Sequence, residues 1–225
     1  MINTLVQPKP KAIFFDLDGT LVDSSYDIYQ AISKMLIDLK LKAVTLEQVQ
    51  SWIGNGSRKL VQRTLAFSLE KTEQEIEVQM ENAMVFFNQH YAQCSGHSTK
   101  LYEGVFDVLT ILKQQNIKMC VITNKPKQFT PTVLKSMKID VFFELVISGD
   151  TLKVKKPDPA PLNYAIDFFN LTAQDVIMVG DSSSDIDAAN AANIKSVCVT
   201  YGYNHGNDPR LLPATKHIDS FNELI

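Results

Sequence analysis

An α/β fold, a parallel-sheet core with an inserted all-helical cap domain, is predicted by three features of the 225-residue chain. A short apolar run near the N-terminus stops at a pair of carboxylates. About seventy residues of helical periodicity follow with no convincing strand, and strands and helices then alternate to the C-terminus. A simple doubly wound sheet has no place for the middle stretch, so it reads as an insertion between the first βα turn and the next βα unit.

The first strand is Ala12, Ile13, Phe14 and Phe15, flanked by Lys11 and Asp16. Its unbroken apolar character is that of a parallel strand buried on both faces. Ligands of open parallel sheets bind outside the carboxyl ends of the strands, so Asp16 is aimed at a site and not into the core. Asp18, two residues on, returns to the same side, and Gly19 lets the backbone turn and come close to a ligand. Two carboxylates on one tight turn repel each other and need a cation.

Helical spacing then takes over. Ile28, Ala31, Ile32, Met35, Leu36 and Leu39 make one apolar stripe over residues 25–39. Thr45 with Gln48 is a capping box opening a helix towards Trp52, and Gly54, Asn55 and Gly56 break it. A third helix over 57–69 carries Leu60, Val61 and Leu65; a fourth opens at Thr72 with Glu75 and runs through Met80, Phe87 and Tyr91. The polar run from Ser95 to Thr99 reads as a hinge. Beyond it a helix starts near Val105, a strand covers 119–122, and Pro126 suits the first turn of the next helix. A strand over 143–147, a helix over 160–169, a strand over 176–179, a helix over 186–192 and a strand over 197–199 complete the pattern. The predicted division is residues 1–23 and 97–225 as a Rossmann-like core and 24–96 as the cap.

Apolar residues at 45% and charged residues at 21% are those of a globular protein, not a disordered one. A net charge of -3 provides no basic field for nucleic acid or anionic lipid, which leaves small-molecule chemistry. Cys94, Cys120 and Cys198 have no CxxC spacing, so neither a disulfide framework nor a zinc site is indicated, and a reducing cytoplasm fits. Residues 1–10 hold two prolines and no long apolar stretch; they read as a frayed lead-in, not a signal peptide or membrane span. His90, His97, His205 and His217 show no ligand spacing. Nothing in the sequence specifies an oligomeric state.

Three further groups sit where strands end. Thr123 and Asn124 hold, after the second strand, the place Asp16 holds after the first, where a hydroxyl and backbone amides can donate to phosphate oxygens. Lys155, Lys156 and Pro157 precede a helix. The fourth strand leads into Gly180, Asp181, Ser182, Ser183, Ser184 and Asp185. Asp181 can coordinate a metal there, while Asp185 orients its water ligands, accepts from Lys156, or charges the first helical turn for about 0.5–1 kcal/mol.

Together, DLDGT, TN, KKP and GDSSSD occur in the order and strand context of the haloacid dehalogenase-like phosphohydrolases, which the chain resembles over nearly its whole length. The helical insertion, the WIGNG stretch at 52–56 and the TYGYN stretch at 200–204 look like those of the phosphoglycolate phosphatases. The resemblance implies that Asp16 attacks phosphorus to form an aspartyl-phosphate and that Asp18 is the general acid and base. It also implies Mg²⁺ held by Asp16, Asp18 through its backbone oxygen, and Asp181, with Asp185 behind them and Thr123, Asn124 and Lys156 on the phosphate. A fixed cation is needed because a monoester near -2 and the attacking carboxylate repel each other. At roughly 4 Å and a dielectric near 20, each opposite pair offsets about 4 kcal/mol before desolvation.

The expected reaction is hydrolysis of 2-phosphoglycolate to glycolate and phosphate. Its carboxylate needs a cationic donor near the turn at 54–56, and Arg58 is the candidate. The alternatives are a β-phosphoglucomutase-like mutase, a phosphatase of another small phosphate ester or pyrophosphate, and a receiver-like signalling module, against which the large helical insertion argues.

Overall fold

The computed structural model describes residues 9–225. Most of the lead-in read at residues 1–10 therefore lies outside the described residues. In chain order the elements are β1 (Ala12–Phe15), β2 (Val22–Asp23), α1 (Ser25–Asp38), α2 (Leu46–Trp52), α3 (Ser57–Leu69), α4 (Glu77–Cys94), β3 (Lys100–Leu101), α5 (Val105–Gln114) and β4 (Lys118–Ile122). They continue with α6 (Thr130–Ser136), β5 (Leu145–Ile147), α7 (Ala160–Phe169), β6 (Val176–Gly180), α8 (Ser183–Ala191), β7 (Lys195–Val199) and β8 (Lys216–Ile218).

Six strands form one sheet in the order β5-β4-β1-β6-β7-β8, each neighbouring pair parallel. The chain starts in the middle with β1, builds outward through β4 to β5, then returns across β1 to build β6, β7 and β8. The winding reverses beside β1, and such switch points are where open α/β sheets bind ligands. Phe15 stands opposite Val121 on one side and Val179 on the other. Asp16, Thr123 and Asp181, one or two residues further on, therefore emerge together at one edge.

Alternate strand residues feed two cores. Ile13, Phe15, Val121 and Val179 pack with Val108 and Leu112 of α5, while Ala12, Phe14, Cys120 and Met178 pack with Leu162 of α7 and Ala188 of α8. Phe14 and Phe15 are fully buried, each contributing about 1.5–3 kcal/mol. A third core joins α1 to α4 through Ile32, Met35, Val61, Leu65, Met80 and Phe87, at the three- and four-residue spacing of the sequence. Phe129, from the loop before α6, packs into this helical core with its ring edge-on to Tyr91 at 4.7 Å.

The structure differs from the sequence reading at element ends. The helix expected from Thr72 begins at Glu77; Glu75 accepts the Thr72 N–H at 2.9 Å, but the intervening residues make turns. The helix expected around Pro126 begins at Thr130, with Pro126 at the head of a turn whose carbonyl accepts from Phe129 and Thr130. The last core helix opens at Ser183, earlier than expected, because Ser182 caps it. A sixth strand, β8, and the antiparallel pair β2 and β3 were not expected. Strands of two or three residues carry too little alternation to register.

The pair β2 and β3 is where the chain leaves and re-enters the sheet layer, with Val22 opposite Leu101 and Asp23 opposite Lys100. One turn into α1, the buried Asp27 accepts from the backbone N–H groups of Gly96 (3.0 Å), Ser98 (2.8 Å) and Thr99 (3.1 Å) and from Thr99 Oγ1 (2.6 Å). The run expected to be a hinge is thus clasped by one carboxylate. Asp27→Ala strands those donors, and a loss of about 3 kcal/mol is expected, since each buried unpaired group costs about 1–3 kcal/mol. Urea unfolding measures it; a midpoint equal to wild type would show that other contacts hold the crossover.

Candidate active site

The turn after β1 is drawn tight by Leu17, whose carbonyl accepts from Leu21 at 3.0 Å and Val22 at 3.1 Å. Gly19 has φ +95°, and a Cβ there would stand 2.3 Å from Asp181 Oδ2. Only glycine lets this turn close against the end of β6. Asp181 is oriented from both sides: Thr20 Oγ1 donates to its Oδ1 at 3.1 Å and the Tyr203 N–H to its Oδ2 at 2.7 Å.

Asp16, Asp181 and Asp185 offer carboxylate oxygens that all lie within 4.8 Å of one another, and all three residues are buried. Lys156 Nζ donates to Asp16 Oδ1 at 2.7 Å and to Asp185 Oδ1 at 2.5 Å. The other oxygen of Asp185 accepts from Ser182 N–H (3.1 Å) and Oγ (2.8 Å), so the residue both caps α8 and anchors the lysine. Three carboxylates face one ammonium. Burial first, and then the charges of Asp185 and Asp18, push Asp16 up to about 7 against the pull of Lys156. Burial, Asp185 and Asp16 likewise raise Asp181 well above the carboxylate range. Burial works against the charge on Lys156, but Asp16 and Asp185 outweigh it and raise the lysine. This all-oxygen donor set, short of positive charge, fits a hard divalent cation.

The fourth carboxylate does not join them. Asp18 turns its side chain towards the helical unit, where Ser24 Oγ donates to Oδ1 at 2.5 Å and Lys125 Nζ lies 3.0 Å from each oxygen. Of the four acidic side chains, three converge and that of Asp18 does not. Lys125 also donates to Tyr91 Oη at 2.5 Å. Sequence reasoning passed over Lys125, although it directly follows Thr123 and Asn124. A single lysine beside a proline gives no sign of burial.

Thr123 is buried at the end of β4, and its Oγ1 accepts the Lys125 N–H at 3.1 Å. The amide nitrogen of Asn124 is committed elsewhere, Nδ2 donating to the carbonyls of Gly54 at 2.9 Å and Lys156 at 3.0 Å and stitching the 52–56 stretch to the lysine loop, while the buried Oδ1 accepts from no described residue. Arg58 is not in the site. Its guanidinium pairs with Glu77 at 2.7 Å and Glu81 at 3.1 Å across α3 and α4, on a half-exposed surface. The reason is local, because two acidic residues one helical turn apart on α4 lie opposite it. Tyr203, in the 200–204 stretch, was also missed: besides steadying Asp181, its hydroxyl donates to Asp23 at 2.7 Å and accepts from the Ser24 and Ser25 N–H groups.

A cavity of about 50 Å³ lies between the sheet edge and the helices. Asp16, Asp18, Thr123 and Lys125 line one side; Ile53, Leu60, Phe87, Tyr91 and Phe129 line the other. A carboxylate at a strand end, a buried ammonium beside it and a small half-apolar chamber over both can hold a compact anion next to a nucleophile.

Known proteins resemble this chain in sequence and in fold. A phosphoglycolate phosphatase of Colwellia psychrerythraea is 42% identical over 215 residues, 96% of this chain and 95% of that protein. Another, of Pseudomonas putida, is 44% identical over 197 residues, 88% of this chain and 72% of that protein. Among solved structures, one described as a predicted phosphoglycolate phosphatase from Haemophilus somnus superposes with a TM-score of 0.91 at 33% identity, covering 97% of this chain and 98% of that one. A β-phosphoglucomutase from Clostridium difficile superposes at 0.76 with 26% identity, over 96% and 93%. The family model of the haloacid dehalogenase-like hydrolases matches residues 13–199, a span running from the strand that ends in Asp16 to the end of β7, and the chain belongs to that family.

Proposed function

We propose that this protein is a Mg²⁺-dependent phosphatase that hydrolyses 2-phosphoglycolate to glycolate and phosphate through an aspartyl-phosphate on Asp16. The observation that carries the reading is the convergence of Asp16, Asp181 and Asp185, with Lys156 bridging Asp16 and Asp185, beside a chamber of about 50 Å³. Relatives named phosphoglycolate phosphatase, similar over 96% of the chain, support the substrate. The apolar wall of Ile53, Leu60, Phe87 and Phe129 offers few polar partners to the hydroxyls of a hexose phosphate, and for that reason the mutase reading is less favoured.

Residues 1–23 and 97–225 serve in this reading as the hydrolase core and 24–96 as the cap; the separate apolar core of α1 to α4 supports that division. Asp16 Oδ attacks phosphorus in line, and the P–O bond to the alcohol breaks as the new P–O bond forms. Asp18, whose side chain is turned from the acidic cluster to Ser24 and Lys125, gives its proton to the departing alkoxide and afterwards takes one from the water that opens the phosphoenzyme. Lys156 holds Asp16 in position and balances charge on the transferring group; Thr123 Oγ1 and the backbone beyond β4 bind its oxygens. Asp16 and Asp181, with the backbone oxygen of Asp18, would hold Mg²⁺, which supplies neutralisation of the phosphoryl charge, and Asp185 supports them through Lys156. A cytoplasmic setting suits the three buried free cysteines. No helix among the described residues is long and apolar enough to cross a membrane.

Asp16→Asn is expected to lower kcat by at least about 10⁴-fold, the scale on which removing a nucleophile acts. Brief incubation with ³²P-labelled substrate, quenched in acid, should label wild type and leave the variant unlabelled; turnover by the variant would end the proposal. Chelation by EDTA is expected to abolish phosphate release and Mg²⁺ to restore it. Saturating Mg²⁺ should also raise the melting temperature of wild type, by linkage to the folded state, and leave that of Asp181→Asn unmoved. Equal shifts in both would place the ion elsewhere.

A further inference from the structure

The phosphoryl end of a phosphoglycolate is provided for, but its carboxylate is not. Placed in the chamber, that carboxylate meets Ile53, Leu60, Phe87 and Phe129, and burying an anion against such walls without a partner costs several kcal/mol. The residue expected to meet it, Arg58, is paired on the outer surface. Lys156 is committed to Asp16 and Asp185. Among the described residues lining the cavity, the one cationic side chain is Lys125.

Its setting is built rather than incidental. Lys125 is 5% exposed, its ammonium lies 4.8 Å from the centre of the Tyr91 ring, and Tyr91 Oη accepts from it at 2.5 Å. Tyr91 is itself fixed by stacking on Phe87 at 5.4 Å and by the edge of Phe129 at 4.7 Å. The ammonium stands 3.0 Å from both oxygens of Asp18, the residue that serves the ester oxygen, and the carboxylate of a phosphoglycolate is only two carbon atoms from that oxygen. An ammonium has three donors that rotate freely, so one can turn to a third anionic oxygen while Tyr91 keeps its place. The cavity is also bounded by Gly56 and Ser57, where α3 begins with no side-chain cap on its first N–H groups. That end of α3 also favours a negative charge.

We propose that Lys125 is the specificity-determining residue for an anionic leaving group, its ammonium taking the carboxylate of the two-carbon alcohol while Tyr91 holds it in place. The inference rests on the phosphoglycolate reading above and goes further by naming what selects the leaving group. It makes the third residue of the TNK loop a substrate contact and places selection in the core side of the seam, not on the surface of α3.

The test compares 2-phosphoglycolate with ethyl phosphate, a neutral two-carbon ester, in the full-length protein with Mg²⁺. Lys125→Met slows both because Lys125 also touches Asp18, so the readout is the ratio of the two kcat/KM values. That ratio is expected to fall by about 10- to 100-fold, the loss of one hydrogen bond to a charged group. In the same variant, inhibition by glycolate should weaken at least 10-fold and inhibition by inorganic phosphate should stay within about 3-fold of wild type. Tyr91→Phe, which keeps the ring and frees the ammonium, should shift the ratio in the same direction and provides the reading should Lys125→Met not fold. A ratio unchanged in both variants, with wild type still preferring phosphoglycolate, would overturn the role of Lys125 alone. A wild type with no preference between the two esters would overturn the phosphoglycolate reading and this inference with it.

Discussion

The contact on which the site depends is the ammonium of Lys156 between the carboxylates of Asp16 and Asp185. All three groups are removed from water, and breaking such a pair leaves an uncompensated buried charge at a cost of about 3–5 kcal/mol. The sheet order is what allows the contact. With β1 between β4 and β6, a residue leaving β1 and residues leaving β6 are neighbours although some 165 positions apart in sequence. The lysine arrives from the loop before α7 and closes the group from the side. With Asp181 the cluster sets three carboxylates against one ammonium, formally two positive charges short of balance, which turns a structural ion pair into a cation site.

A second set of contacts ties that centre to the helical unit. Tyr203 touches Asp181 through its N–H and touches Asp23, Ser24 and Ser25 through its hydroxyl, so a single residue spans the acidic cluster and the start of α1. Asp23 is held below the ordinary carboxylate range because the donors from Ser25 and Tyr203 outweigh its burial. Four residues further on, Asp27 gathers the returning strand's approach. The two crossings between layers are therefore fixed by carboxylates that accept backbone N–H groups, a rigid joint that fixes where the helices sit over the cluster.

Residues at strand ends were legible in the sequence, because an apolar run followed by a carboxylate or hydroxyl has few other meanings once several recur in order. Asp16, Thr123, Asp181 and Asp185 fall into this group, as do the helices whose stripes became the third core. What could not be read depended on partners distant in sequence. Arg58 had the right charge near the right turn, but Glu77 and Glu81 lie across α3 and α4 from it, and sequence spacing does not reveal which helices pack together. Lys125 and Tyr203 were invisible for the converse reason: burial of a lysine and the reach of a tyrosine backbone are set by tertiary packing. The Asp18 side chain is held away from the cluster by Lys125 and Ser24, partners that its place in the sequence does not reveal.

The two lysines divide the electrostatic work along the boundary between the layers. Lys156 pairs only with core residues and is satisfied wherever the helices stand. Lys125 is a core residue whose neutral partner, Tyr91, belongs to α4, so its environment is complete only with the helical unit seated over the sheet. Drawing the layers apart would expose the ammonium to water and remove the Tyr91 ring from above it, which weakens the pull of Lys125 on any anion. In the proposed role of Lys125, the group that takes the carboxylate is thus also the one that the seated helices bury. An anion at Lys125 would therefore be held most strongly where Tyr91 of α4 covers the ammonium, as it does here.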